Sequence, residues 1–160
     1  MTSTLTFTHI RTYLLAALFV LGNVLLPQLC HLLPLGGLSL QPMFLLIVLA
    51  TMLMGWQVAL ITALVSPLVN TMLFDMPTWT MLPLLLIKGV SLVLLLRWAL
   101  NSSTHKYIRL IAAIVFPQFL GLFLGWTIFA SPLFSWQEPY TVLPATLLQI
   151  AAIALYKCLK

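Results

Sequence analysis

The chain has 160 residues, of which 62% are hydrophobic and 6% are charged, and its formal net charge is +5. Soluble domains carry about 25% charged residues, so a soluble fold of this length could not bury so much apolar surface. The GxxxxGK[ST] pattern of a P-loop does not occur, which excludes that kind of nucleotide site. We therefore predict an all-α integral membrane protein with one transmembrane domain over residues 1–160.

Apolar stretches separated by helix breakers predict a bundle of six transmembrane helices. The stretch from Pro42 to Phe74 has no charge and is too long for one ordinary span of about 20 residues. We therefore predict two short helices there, with a tight turn at Gly55-Trp56-Gln57. The predicted spans are residues 12–33, 42–55, 57–74, 79–98, 107–130 and 139–156.

The charges favour six spans with both termini in the cytoplasm. In that topology the two acids fall outside and six basic residues fall inside, namely Arg11, Arg97, Lys106, Arg109, Lys157 and Lys160. If residues 42–74 crossed only once, Arg97 and Arg109 would move outside while Arg11 stayed inside, against the positive-inside rule. A re-entrant segment at 42–74 would preserve the same topology. Because Cys30 and Cys158 face opposite sides in this arrangement, we expect no disulfide.

Lys88 is the strongest sign of a ligand site. It lies about midway along the predicted fourth span, where a lysine costs about 2.5–3.5 kcal/mol on insertion scales. A counter-charge for an anionic ligand would explain it. Alternatively, the lysine snorkels or donates to backbone carbonyls that Pro67 or Pro117 leaves free. Because intramembrane charges are functional by default, the ligand is favoured.

Polar side chains near the outer ends of the predicted spans form a second set of candidates. Each of them alone is more often a helix cap or an interfacial residue. Intramembrane amides, here Gln118 and Gln149, bond either a ligand or, more commonly, a neighbouring helix. The outer-end set is Gln28, His31, Ser39, Gln41, Asn70, Asp75 and Thr78. The predicted ligand-binding residues are Lys88, Asn70, Gln28, His31, Gln41, Gln118 and Trp79.

Small residues on the first and third spans are candidates for close helix contacts. The first span contains the small residues Ala16, Ala17 and Gly22. On the third span, Ala59 and Ala63 lie about one turn apart. Small residues let helices approach closely. They therefore either dock another membrane subunit or pack inside the protein itself.

The sequence contains no recognisable catalytic constellation. Its two acids, Asp75 and Glu138, both fall at the predicted outer surface and cannot form an intramembrane acid–base pair. No second histidine or cysteine stands at metal-ligand spacing from His31 on a predicted helix. We expect neither an enzyme nor a metal or cofactor site.

A series of short motifs carries a resemblance to a known family. The motifs are Leu26-Pro27-Gln28, His31, Gly37, Gln41-Pro42-Met43, Gly55, Ser66-Pro67-Leu68, Met76-Pro77, Leu82-Pro83 and Lys88-Gly89. Together they resemble the substrate-binding S components of energy-coupling factor (ECF) transporters. The resemblance implies a multi-pass protein of the bacterial inner membrane that binds a vitamin or similar micronutrient in an outward-facing cavity. It also implies a membrane coupling subunit and two cytoplasmic ATPases as partners, with no hydrolysis by this chain.

One departure from the family pattern bears on the ligand. The similar branch often has an acid in the fourth span where this chain has Lys88, and this change predicts an anionic ligand. The alternative function is a structural membrane protein similar to the rod-shape accessory protein of cell-wall synthesis. Such a scaffold has a comparable length and number of spans, but it needs neither a ligand cavity nor an intramembrane lysine.

Overall fold

The computed structural model describes residues 7–31, 41–101, 105–128 and 142–158. Within these ranges the chain forms helices and no strand, which confirms the predicted all-α class. The helices are α1 (Ile10–His31), α2 (Pro42–Leu53), α3 (Trp56–Phe74), α4 (Leu82–Asn101), α5 (Lys106–Ile128) and α6 (Leu143–Cys158).

Four of these helices are long and apolar enough to cross a membrane. They are α1, α3, α4 and α5, whereas α2 and α6 are shorter apolar helices of 12 and 16 residues. At 1.5 Å per residue α2 is about 18 Å long, well short of a hydrocarbon layer of about 30 Å. Crossing by all six helices and the cytoplasmic position of both termini stay predictions.

The uncharged stretch at residues 42–74 folds as two helices, as predicted. The helix α2 starts at Pro42, which suits a first helical turn because its missing N–H would have no partner there. At the other end, the backbone N–H groups of Met54 and Gly55 both donate to the carbonyl of Ala50, at 2.9 and 3.0 Å. Gly55 has φ +108°, a conformation that side chains rarely adopt. The chain can therefore reverse here within two residues, and α2 packs against α3.

The predicted start of the fourth span was wrong by three residues. Trp79 lies in a turn over residues 79–81, in which the Thr78 carbonyl accepts hydrogen bonds from the N–H groups of Met81 and Leu82. The helix α4 begins at Leu82 and ends at Asn101. Lys88 consequently lies six residues after the start of a 20-residue helix, nearer one end than the predicted midpoint. The other predicted boundaries within the described residues differ from the helices by three residues or fewer. The predicted boundaries at residues 33, 130 and 139 lie outside the described residues.

Aromatic and basic side chains bring several helix ends together. The Arg97 guanidinium carbon lies 3.9 Å from the ring centre of Trp56, and the ring of Phe7 meets Trp56 edge-on at 5.4 Å. Arg109 lies 4.8 Å from the ring centre of Trp98. The start of α1, the α2–α3 turn, the end of α4 and the start of α5 therefore share one end of the bundle. This is the arrangement that the six-span topology requires, and we call this end the basic end.

The two cysteines lie far apart in the bundle. Cys158 lines a groove with Tyr107, the second residue of α5, so it lies at the basic end. Cys30 is near the opposite end of α1. Both cysteines are free.

Four helices close a ring beside the α1–α3 pair. The helix α4 packs against α2 and α5, and α6 packs against the same two helices. The side chains of Ile47, Leu92, Leu96 and Ile114 are at most 2% exposed and form part of the shared core. Lys88 and Gln118 come from this ring.

Candidate functional site

Lys88 extends across the surface of α5. A Cβ atom placed on Gly121 would lie 2.5 Å from the lysine Cδ and 2.8 Å from its Cε. The lysine stem therefore occupies the space that a side chain at position 121 would need. Its Nζ lies 5.2 Å from the ring centre of Phe44 on α2, within the range of a cation–π interaction. The half-buried ammonium is thus positioned between α2 and α5.

Two glutamines connect the same helices. Gln118, one turn before Gly121 on α5, donates from Nε2 to Oε1 of Gln41 at 3.0 Å. Gln41 precedes α2 and has a left-handed backbone with φ 41°. The other amide atom of Gln118, its Oε1, is buried and has no hydrogen-bond partner. We call Gln41, Phe44, Lys88, Gln118 and Gly121 the lysine cluster.

The lysine cluster has the chemistry of a small-anion site. It combines a positive charge, an aromatic face and an unused acceptor, the Oε1 of Gln118. A buried acceptor without a donor costs about 1–3 kcal/mol, and a ligand that carries an N–H or O–H group would remove this cost. The predicted residues Lys88, Gln41 and Gln118 are therefore brought together.

Asn70 has a structural environment that the sequence did not predict. Its side chain is 2% exposed, and its Nδ2 donates to the carbonyl oxygens of Asn23 at 3.0 Å and Ser66 at 3.1 Å. Pro27 has no N–H, so the Asn23 carbonyl lacks its usual helical donor four residues ahead. Asn23 in turn donates from Nδ2 to Ser66 Oγ at 3.1 Å. Asn70 thus joins α3 to α1 at the carbonyl that Pro27 leaves free.

The other predicted ligand-binding residues differ in their surroundings. Trp79 lies in the turn before α4 and is 58% exposed. Gln28 is half-buried on α1. His31 is the last residue of α1, and its side chain lies outside the described part of the structure, as do Ser39 and Glu138. The ligand-binding role of these residues stays a prediction.

The predicted docking alanines separate into two groups. Ala59 and Ala63 are fully buried, and a Cβ on Gly89 of α4 would lie 3.3 Å from the Cβ of Ala63. These two residues pack inside the bundle, which was the alternative considered for them. Ala16 is also buried, but Ala17 is exposed on α1.

Gly22 on α1 is half-buried, and a Cβ there would lie 3.3 Å from Cδ1 of Leu46. It therefore supports the packing of α1 on α2.

Sequence reasoning missed Phe44 and Gly121 as members of the site. The spacing of three between Gln118 and Gly121 places both on one face of a helix, so this pair could have been found by periodicity. The position of Phe44 under the ammonium depends on how α2 packs against α4, and no local pattern reports it.

The comparison with protein families decides what kind of protein this is. The family model of the ECF transporter substrate-specific component matches residues 9–158. The chain belongs to this family. Searches of curated proteins and of solved structures found no match.

Membership confirms the predicted family and gives the chain a general role. The S component is a substrate-specific subunit of a transporter, which is not an enzyme family. Together with four helices long and apolar enough to span a bilayer, it identifies a multi-pass membrane protein. The family also implies a small-molecule substrate and partnership with coupling and ATPase subunits.

Proposed function

We propose that this S component captures a small anionic micronutrient, a vitamin or a similar compound, from outside the cell at the lysine cluster. It then delivers the compound together with a membrane coupling subunit and two cytoplasmic ATPases in the bacterial inner membrane. The observation that carries the proposal is half-buried Lys88, whose stem lies over Gly121 and whose ammonium lies beside the ring of Phe44. Charges inside a membrane bundle are rare and are functional by default, and an anionic ligand would pair with this one.

The depth of the cluster supports access from outside. The basic end of the bundle is the cytoplasmic end under the positive-inside rule. The start of α4 and the start of α2 lie at the other end, and Lys88 is about 9 Å from the start of α4 at 1.5 Å per residue. Gln41 lies directly before α2. Counted from the basic end at 1.5 Å per residue, the start of α2 and Lys88 both lie about 18–20 Å away. A ligand entering from outside would thus meet Gln41 and Lys88 at about the same depth.

Replacing Lys88 tests the charge. We expect Lys88→Met to weaken binding of an anionic compound at least about tenfold, because about 1.4 kcal/mol is lost with the charge–charge contact. Lys88→Arg, which keeps the charge, is the matched control and should retain more of the affinity. The measurement is the shift in thermal stability of the purified protein in nanodiscs with a panel of water-soluble vitamins and vitamin precursors.

Two results would contradict the proposal. The first is unchanged binding in Lys88→Met, which would show that the ammonium does not meet the ligand. The second is that no compound of the panel stabilises the wild-type protein. The structural scaffold similar to the rod-shape accessory protein would then be the better description, although the family match favours the transporter.

For the coupling subunit we propose a docking surface on α1. This helix is the least buried of the four long ones, with 17% of its apolar window inside the bundle. The side chains of Leu14, Leu18, Leu21 and Leu25 are each more than half exposed. Beside them, a groove of about 360 Å³ between α1 and α3 is lined in part by Ala16 and Ala17. A helix of the coupling subunit, which the family implies as a partner, would fit this shallow apolar groove closely beside Ala17.

A further inference from the structure

Gln149 is a buried amide whose polar atoms are both unused. The residue lies on α6 and is 1% exposed, and neither its Nε2 nor its Oε1 has a hydrogen-bond partner. Each unsatisfied buried group costs about 1–3 kcal/mol. A methionine or leucine would fill the same space without this cost. An amide at this position therefore indicates a partner that binds there and brings its own donor and acceptor.

The packing of α6 directs Gln149 towards the helices of the lysine cluster. Ala145, Gln149 and Ile153 follow one another at intervals of four, and all three are buried, so they form a single inward face. The neighbours of α6 are α2 and α5, which carry Phe44 and Gln118. Gln149 therefore lies on the buried face of the helix that packs against these two helices.

Gln149 lies within about two turns of Lys88 in depth. Both α4 and α6 end at the basic end of the bundle, at Asn101 and Cys158. Lys88 is 13 residues from Asn101 and Gln149 is nine residues from Cys158, so at 1.5 Å per residue they lie about 20 and 14 Å from that end. A small extended molecule inside the ring of α2, α4, α5 and α6 could therefore reach both side chains.

We propose that Gln149 is a further binding residue of this site and that its side chain forms hydrogen bonds with an amide-like group of the substrate. The substrate is then a small anion that also carries a hydrogen-bond donor and acceptor side by side, as in an amide, a lactam or a urea. The anionic group pairs with Lys88, and the donor–acceptor group pairs with Nε2 and Oε1 of Gln149. A second donor on the substrate would satisfy Oε1 of Gln118. This inference rests on the proposed function.

The test uses a panel of small molecules in four classes: anions with an amide-like group, anions without one, neutral amides and neutral compounds without an amide. Binding to the full chain in nanodiscs is measured by thermal shift and isothermal titration. For the tightest binder, an analogue in which the amide N–H is replaced by an ester oxygen is measured as well. The variant is Gln149→Met, and the matched control is Gln57→Met, a half-buried glutamine in the first turn of α3 at the basic end.

We expect binders only among the anions with an amide-like group. Wild-type protein and Gln57→Met should prefer the amide to its ester analogue at least about tenfold, the value of one good hydrogen bond to a buried group. Gln149→Met should bind both compounds equally. Loss of this preference distinguishes a binding residue from a structural one, because a general change in stability would weaken both compounds alike.

Each of the other possible results would contradict a different part of the proposal. If Gln149→Met keeps the preference, or if anions without an amide bind as well as those with one, the role of Gln149 is wrong and the proposed function stands. If the binders are neutral amides, the pairing of an anion with Lys88 is wrong. If no compound of any class binds the wild-type protein, both the inference and the proposed function fall.

Discussion

Gly121 contributes to the lysine cluster by having no side chain. The Lys88 stem lies where a Cβ on residue 121 would be, so this glycine fixes the path of the lysine from α4 across α5. The requirement is for space, since the glycine is buried within a regular helix.

We predict that Gly121→Ala moves the ammonium and weakens anion binding about tenfold or more, which corresponds to about 1.4 kcal/mol. The added methyl group would approach Lys88 Cδ to 2.5 Å and Cε to 2.8 Å, so the stem has to leave its present path. Titration of the vitamin panel against the variant in nanodiscs measures the effect.

Gly89→Ala is the control for this prediction. Its Cβ would meet Ala63 at 3.3 Å, on α3 rather than on α5, which costs packing energy of about 1–3 kcal/mol. It should lower thermal stability more than it lowers affinity. Equal loss of affinity in the two variants would show that Gly121 acts only through general packing.

The sequence revealed those residues of the site whose insertion into a bilayer costs the most free energy. Lys88 and Gln118 are conspicuous in an apolar sequence because charges and amides are costly in a bilayer. Phe44 is one of nine phenylalanines, and an aromatic residue in a membrane helix needs no special explanation. Its contact with Nζ depends on interhelical packing, which the sequence does not state.

At the scale of helices, the pair α1 and α3 is joined by amides around a proline. Asn70 donates to the Asn23 carbonyl, and Asn23 donates to Ser66. Without Pro27, the Asn23 carbonyl would accept from the backbone N–H four residues ahead. The proline and the asparagine therefore act as a unit across two helices.

We predict that Asn70→Leu lowers the stability of the purified protein by about 1–3 kcal/mol, because it leaves the Asn23 carbonyl buried without a donor. In a Pro27→Ala background the helix itself supplies the missing N–H, so the same substitution should cost less. Thermal or denaturant unfolding of the four proteins completes a double-mutant cycle. Additive effects of the two changes would contradict the coupling.

The exposed face of α1 gives a prediction about assembly. We expect Ala17→Trp to reduce co-purification with a coupling subunit several-fold, because a bulky ring would hold the partner helix away from the shallow groove. Anion binding by the isolated chain should be unchanged, since Ala17 is exposed on α1 and outside the ring of α2, α4, α5 and α6. Normal co-purification of the variant would move the docking surface to another face.

Helices were predicted more reliably than their ends. The uncharged stretch at 42–74 was divided correctly into two helices because it is too long for one ordinary span and Gly55 allows a turn. The start of α4 was placed three residues early because Trp79 looks like an interfacial residue, whereas residues 79–81 form a turn that leads into the helix at Leu82. The residue at which a turn passes into a helix depends on the path of the backbone rather than on hydropathy.

For the molecule as a whole, a few charges mark one end of the bundle. Arg97 stacks on Trp56, which also meets Phe7 at the start of α1, and Arg109 stacks on Trp98. That this end faces the cytoplasm stays a prediction from the positive-inside rule. The order in which the helices pack was not predictable, because nearly uniform apolar helices have no pattern that selects their neighbours.

The two native cysteines test the orientation. In a Cys30→Ser background we expect a membrane-impermeant maleimide to label Cys158 in inside-out vesicles but not in intact cells, because Cys158 is exposed at the basic end. The positive-inside rule assigns that end to the cytoplasm. Labelling of intact cells at Cys158 would reverse the topology and place the lysine cluster on the cytoplasmic side.

The shortness of α2 has a consequence for the surrounding lipid. A helix of 12 residues leaves roughly 12 Å of a 30 Å hydrocarbon layer unmatched. If α2 crosses as the topology predicts, the bilayer would thin beside it or water would enter above its first residue, Pro42. In either case a charged solute approaching the lysine cluster would cross little hydrocarbon.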